Sequence, residues 1–404
     1  MTECFLDGLV SFDDRNRITT VDRRLYTDPT IYSAEMAKIF SGPAWIFLGL
    51  EQEVLRPGEF LTTYMGDVAV LVARDDENIL HVFENVCTHR GSLVERRPSG
   101  CARNFRCLYH NWTFALSGEL TGVPKPDSYG EDFSKKDYPL PSIRAEVFAG
   151  LIFASRDPNA PSVSEYLGSL GPLIADTMRW GKVELLGRHR CSIDANWKIF
   201  FENTVDAYHA ENLHRPLKNY IVDNANYAFP NGHGLIRRLS DAQKMASIGA
   251  RKGIAHDSIL IVGDQRTLGV FPNLLMLGSP TRPVIIIRQL IPKNVDRLEL
   301  VIYYASPAGL STSEKERAAR EICSLFGPAG AVSADDTEAM QAVQRATRAH
   351  YSKTLLTRGL NADPGTPASS SGELSLRGFY AMWAQCMGLD GGRRTLRPSR
   401  GTDE

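Results

Sequence analysis

The pairs Cys87-x-His89 and Cys107-x-x-His110 constrain this chain more than any other feature of it. Seventeen residues separate them, and three of the seven cysteines and two of the nine histidines fall between Cys87 and Trp112. Two thiolates and two imidazoles meet at one centre only if the chain turns back on itself, so the pairs read as loops of β-hairpin type. The flanks agree. From Ala44 to about Phe153 the segments AWIFLGL, FLTTYMG, VAVLVAR, ILHVFENV, WTFALSG and FAGLIFAS are short and strand-like, and Arg56-Pro57-Gly58, Asp75 to Asn78 and Ser117-Gly118-Glu119 supply turns. Such a donor set could bind one zinc ion tetrahedrally. It could also hold a [2Fe–2S] cluster with two cysteines on one iron and two histidines on the other, which raises the cluster's potential. A Cys-x-His half is unusual for a zinc ribbon and favours the cluster. The bland alternative is four core residues in this spacing by chance.

Composition narrows the setting. A chain of 404 residues is expected to form two domains. A formal net charge of −1 argues against nucleic acid or an anionic membrane surface as the main partner. The N-terminus, MTECFLDGLVSFDD, has no basic stretch followed by an apolar run. The apolar run at PVIIIRQLIP is about half the roughly 20 residues that span a bilayer. A cytoplasmic location with reduced thiols is the expectation, and the odd cysteine count fits it.

After about residue 156 the pattern is mixed. Strands are expected at VELLGRHRCSID, FPNLLML, PVIIIRQLI and LELVIYYAS. Helices are expected from Trp197 to about His214, Ser313 to Phe326, Asp335 to Arg348 and Leu376 to Met387, with an earlier one from Tyr32 to Phe40. Asp363 to Gly372 reads as an exposed loop. The chain divides into an all-β domain over 41–155 and a second, α+β domain over 156–404, with residues 1–40 joining the second.

A second constellation lies at Glu202-Asn203-Thr-Val-Asp206-Ala-Tyr208-His209-Ala-Glu-Asn-Leu-His214. Two histidines and one carboxylate on one face of a ferrous ion leave positions open for oxygen. His209 and His214 are five residues apart, which on a regular helix separates them by about 140°. The helix is therefore expected to widen or end between them, a π-type turn being one way. Asp206 lies one turn before His209. The third ligand must come from elsewhere in the chain.

Both motifs resemble those of the large (α) subunits of aromatic-ring-hydroxylating Rieske oxygenases. Cys87-Thr-His89-Arg90-Gly91 and Cys107-Leu-Tyr-His110-Asn-Trp112 match the two cluster loops, and Asn196-Trp197-Lys198 and Phe326-Gly-Pro-Ala-Gly330 with Asp335-Asp336 fit the same family. The likeness runs from about Ile39 to Met387. It implies an all-β Rieske domain inserted into a catalytic domain whose antiparallel sheet is flanked by helices, of helix-grip, START-like type. It implies Cys87, His89, Cys107 and His110 as cluster ligands. It also implies His209, His214 and Asp336 as ligands of a mononuclear Fe(II), although Asp335 and Asp336 could instead cap the helix that follows. In relatives the aspartate matching Asp206 joins an iron histidine to a cluster histidine of the next subunit, here His209 to the neighbour's His110. A head-to-tail ring of three α subunits, with or without a small β subunit (α3β3 or α3), follows from that. The chain has no dinucleotide-binding glycine motif or Walker motif, so reducing equivalents are expected from a ferredoxin or an NAD(P)H reductase.

Within the family the chain most resembles subunits that act on salicylate-, anthranilate- or terephthalate-type acids. Strand alternation puts Val284, Ile286, Arg288 and Leu290 on one face. Arg288 could grip a substrate carboxylate; an internal salt bridge, or a place near the strand end, is the plain alternative. Val205, Leu213, Met276 and Val332 are the apolar pocket candidates, Val332 standing where some naphthalene-type relatives carry a bulky aromatic. The expected activity is O2-dependent hydroxylation of an aromatic ring, more often dioxygenation than monooxygenation. A Rieske-type electron carrier without oxygenase activity and a zinc-binding interaction protein are the alternatives. Cys4, Cys101, Cys191, Cys323 and Cys386 read as structural.

Overall fold

The computed structural model describes residues 6, 8–12, 19–214, 224–239, 264–279, 284–349, 353–359, 368–369 and 372–389. The chain forms two compact units, one of residues 40–163 and one of 1–39 with 164–404. The sequence boundary was drawn at 155, but residues 156–163 stay with the first unit. Trp45 donates its indole N–H to the Pro161 carbonyl at 2.9 Å, and the Val163 N–H bonds to Glu146 at 2.9 Å. Among the described residues, no helix is long and apolar enough to cross a membrane.

The first unit is all-β. A four-stranded antiparallel sheet joins Leu80–Glu84, Val68–Arg74, Glu59–Met65 and Ser99–Cys101. Three-stranded sheets are built from Phe105–Arg106, Thr113–Phe114 and Leu120–Gly122, and from Arg144–Phe148, Leu151–Ser155 and Ile46–Leu50. Phe60, Leu71, Phe83, Phe105, Trp112 and Phe114 form one buried cluster that also holds Cys87 and Cys107. Cys87 and Cys107 are thus anchored by apolar packing.

The second unit centres on an antiparallel sheet of eight strands. They are β1 (Val183–Ile193), β2 (Asn224–Ala228), β3 (Gly234–Leu239), β4 (Asp264–Val270), β5 (Leu274–Gly278), β6 (Ile285–Asn294), β7 (Arg297–Pro307) and β8 (Ala368–Ser369). Their order is β1-β7-β6-β5-β4-β3-β2-β8. Helices α1 (Gly171–Thr177), α2 (Trp197–Val205), α3 (Tyr208–Leu213), α4 (Thr312–Phe326), α5 (Ala331–Ala346) and α6 (Leu374–Met387) accompany it. The α+β class expected from sequence is what the chain adopts.

Glycines let two helices press onto one face of this sheet. A Cβ at Gly269 of β4 would lie 2.6 Å from Val205 Cγ1 and 2.9 Å from Phe201 Cζ. One at Gly234 of β3 would lie 2.7 Å from Ser375 Cβ. Ends of α2 and α6 therefore sit directly on backbone.

Several sequence expectations need correction. The helix expected from Trp197 to His214 breaks at Asp206-Ala207, where Asp206 is extended (φ −98°, ψ 119°). The helix does end between His209 and His214, as expected, but α3 stops at Leu213 without the π-type turn that was one way of doing so. α5 starts at Ala331 with Gly330 as its N-cap, so neither Asp335 nor Asp336 caps it. Phe271 to Asn273 precede β5 rather than belong to it. Within the expected loop Asp363 to Gly372, Ala368–Ser369 pair with β2 and most of the other residues lie outside the described residues.

Candidate metal centres and catalytic cavity

The two cysteine loops are structural copies of each other. In the first, the Gly91 N–H bonds to the Cys87 carbonyl at 2.9 Å and the Cys87 N–H to the Ser92 carbonyl at 2.8 Å. In the second, the Asn111 N–H bonds to the Cys107 carbonyl and the Cys107 N–H to the Trp112 carbonyl, both at 2.9 Å. Each turn needs a left-handed residue, and Gly91 (φ +73°) and Asn111 (φ +58°) fill it. Glycine and asparagine enter that region most easily.

Cys87 and Cys107 are buried and unbridged. Burial, together with the neighbouring Cys107 thiol, pushes the Cys87 thiol above its ordinary value. The His89 and His110 rings are 4.5 Å apart, and His89 stacks on Trp112 at 4.7 Å. His89 Nδ1 is buried with no hydrogen-bond partner. Burial and His110 lower the His89 pKa, so its ring is neutral and able to ligate. Thiol faces thiol and imidazole faces imidazole. Among the described residues, only His209, His214 and Asp336 have ligand atoms that all lie within 4.8 Å of one another. Pairing of the thiols with each other and of the imidazoles with each other suits two irons, one held by sulfur and one by nitrogen. Cys101 is exposed on its own strand and stands outside this group.

The second centre is gathered by two helices. His209 comes from α3, His214 from the residue that ends it, and Asp336 from the second turn of α5. Asp336 Oδ1 lies 3.3 Å from His209 Nε2, 3.1 Å from His214 Nε2 and 3.4 Å from the Asn203 amide nitrogen. Asp335 Oδ2 is 3.6 Å from His214 Nδ1, and its side chain is 42% exposed against 12% for Asp336. Burial opposes ionisation of Asp336, but both imidazoles hold its carboxyl well below the usual range. One carboxylate shared by two imidazole nitrogens, in a site without a bulky filler, fits a 2-His-1-carboxylate metal set.

Asp206 carries the turn. Its carboxylate accepts the N–H of Tyr208 at 2.8 Å and of His209 at 3.3 Å, and meets His209 Nδ1 at 3.2 Å. Burial disfavours a charged His209, yet Asp206 and Asp336 together raise it to about 9. Asp206 thus orients the imidazole from the side away from Asp336.

Lys198 and Glu202, which stand inside the two catalytic-domain motifs, are held by buried polar contacts. Lys198 pairs with Glu35 at 2.7 Å, both fully buried, and Glu35 also accepts the indole N–H groups of Trp197 and Trp383 at 2.9 and 2.7 Å. Glu202 accepts the Tyr26 hydroxyl at 2.9 Å and bonds to the Tyr380 hydroxyl. Burial raises Glu202 to about 7.

The triad opens onto a cavity of about 640 Å³, its mouth included. Arg288 and Val332 line it; Val205, Leu213 and Met276 do not. Val205 is spent on the contact with Gly269, and Leu213 is half-buried on α3. Met276 pairs with Leu268 and Ile287 on the opposite sheet face, and Leu277 takes the lining position. Arg288 is 7% exposed and makes no ion pair or hydrogen bond among the described residues; its guanidinium carbon lies 5.7 Å from the Phe200 ring centroid, and the Asp336 carboxylate partly offsets the burial that lowers its pKa. Phe326, Arg238, Gln265 and Thr267 also line the cavity and were missed in sequence. The last three share a face through the cross-strand pairing of β3 with β4, which no local sequence signal gives.

The family described as "Ring hydroxylating alpha subunit (catalytic domain)" matches residues 180–389, and "Rieske [2Fe-2S] domain" matches 44–143. The chain belongs to the ring-hydroxylating oxygenase α subunits. It is 29% identical over 408 aligned positions to the terephthalate 1,2-dioxygenase terminal oxygenase component subunit alpha 2 of Comamonas sp., covering 92% of this chain and 96% of that one. It is 30% identical over 387 positions to the 2-aminobenzenesulfonate 2,3-dioxygenase subunit alpha of Alcaligenes sp., covering 91% and 93%. The structure of naphthalene 1,2-dioxygenase with indole bound superposes with a TM-score of 0.81, at 26% identity and 95% coverage of each chain. This α subunit therefore carries a Rieske [2Fe–2S] cluster and a mononuclear iron, and it is a terminal oxygenase component rather than an electron carrier.

Proposed function

We propose that this α subunit hydroxylates the ring of a small aromatic carboxylate. Cys87, His89, Cys107 and His110 hold the cluster, and His209, His214 and Asp336 hold the mononuclear iron. When bound, the two groups supply single electrons and activate O2. The protein's part is to place the ring, exclude water and hold the ligands. Arg288 carries the substrate reading: burial disfavours its charge, the Asp336 carboxylate offsets this only in part and without an ion pair, and the guanidinium faces the cavity that the triad shares. A bound carboxylate satisfies it in a bidentate pair. Relatives named for terephthalate, anthranilate and 2-aminobenzenesulfonate act on anions, which supports the reading.

Electrons arrive from a ferredoxin or an NAD(P)H reductase at the cluster. Asp206 then links His209 to His110 of the neighbouring subunit in a head-to-tail α3 ring, with a β subunit completing α3β3. Dioxygenation is the favoured outcome. Arg288→Met tests the substrate assignment: the Kd of benzoate or salicylate should rise at least tenfold, while a neutral ring such as toluene binds as before. Equal losses for acid and neutral ring would contradict it.

A further inference from the structure

The sheet floor of the cavity has a polar end that the site described above does not use. Register fixes its layout. Arg288 pairs with Leu275, Leu275 with Gly269 and Gly269 with Gly234, so the row holding Arg288 reaches β3 four residues before Arg238. Arg238 and Gln265 are direct cross-strand partners, two rows beyond the row Ile236–Thr267–Leu277. Cross-strand partners and residues two apart along a strand share a face. All of these except Leu275, Gly269 and Gly234 line the cavity. Arg288 and Arg238 stand three strands apart, about 14 Å across the sheet and about 13 Å along it. The floor thus reads donor, then a mainly apolar row, then donor. A flat ring suits the middle row. Burial brings the Arg238 guanidinium down to about 10, so the protein matrix already disfavours its charge there.

We infer that Arg238 and Gln265 form a second subsite for an anionic substituent at the far end of the ring from the group held by Arg288, making this an enzyme for doubly charged aromatic acids. A guanidinium and a carboxamide on adjacent strands present several N–H donors to one carboxylate. The subsite deepens the substrate reading above and rests on it, because it presumes an aromatic acid in this cavity.

Calorimetry on the metal-loaded protein with benzoate and with benzene-1,4-dicarboxylate tests it. The ratio of the two Kd values is the readout. Wild type should prefer the dicarboxylate. Arg238→Met should reduce that preference at least tenfold and Gln265→Leu several-fold, whereas Arg288→Met should weaken both acids. If Arg238→Met fails to fold, the Gln265→Leu ratio decides. A wild type that prefers benzoate, or a ratio that neither variant moves, overturns the second subsite and leaves Arg288's role standing. A wild type that binds neither acid overturns the aromatic-acid reading together with the subsite.

Discussion

At the scale of single residues, charge sorts the acids. Asp336 and Asp335 are neighbours, but only Asp336 reaches both imidazoles, because α5 begins at Ala331 and turns the two side chains in different directions. Glu202 has the opposite environment. Its carboxyl is raised from 4.5 to about 7 chiefly by burial. The folded state then holds a proton that the unfolded state has released, so this group's stabilisation is present below pH 4.5 and fades as pH rises through about 7. A difference of that size corresponds to about 3 kcal/mol at most. Glu202→Gln keeps a hydrogen-bonding side chain without the titration. Thermal melts at pH 5 and pH 8 should therefore show the variant gaining on wild type as pH rises. A gap that stays constant would mean Glu202 ionises normally.

At the scale of elements, the site depends on α2 lying directly on the sheet. Gly269→Ala puts a Cβ into the space of Val205 and Phe201. The helix must shift, at about 1–3 kcal/mol. A lower melting temperature with partial loss of the mononuclear iron is expected; an unchanged iron content would show that α2 tolerates the displacement.

The same scale explains what could be read in advance. Cys87, His89, Cys107 and His110 were legible because each pair is local and its spacing is chemically restrictive. His209 and His214 were legible for the same reason, and Asp336 only by resemblance. The break at Asp206-Ala207 was not, since neither residue is a helix breaker and the turn is made by the Asp206 carboxylate taking two backbone N–H groups. Met276 lies on the far face of the sheet because it pairs with Leu268 and Ile287, one register position off the row that holds Leu277, and a list of apolar residues carries no register. Arg238, Gln265 and Leu277 come together only through the register of three strands.

At the scale of the whole molecule, the proposed ring makes Asp206 a conduit between subunits. Asp206→Asn keeps the shape and the hydrogen bond to the Tyr208 N–H but removes the charge beside His209. The variant should assemble and retain both metals. Its chemically reduced cluster should reoxidise far more slowly than wild type when substrate and oxygen are added, which stopped-flow absorbance records. Loss of iron or of assembly would make Asp206 structural; near-normal reoxidation would place the electron path elsewhere.

The assignment of two separate metal centres underlies all of this. Iron analysis with EPR on Asp336→Ala and Asp335→Ala tests it most directly. Wild type should hold about three irons per chain, two of them in the cluster. Asp336→Ala should fall to about two with its reduced-cluster g values unchanged, and Asp335→Ala should keep about three. Retention of the third iron by Asp336→Ala, or its loss from Asp335→Ala with Asp336 intact, would contradict the account.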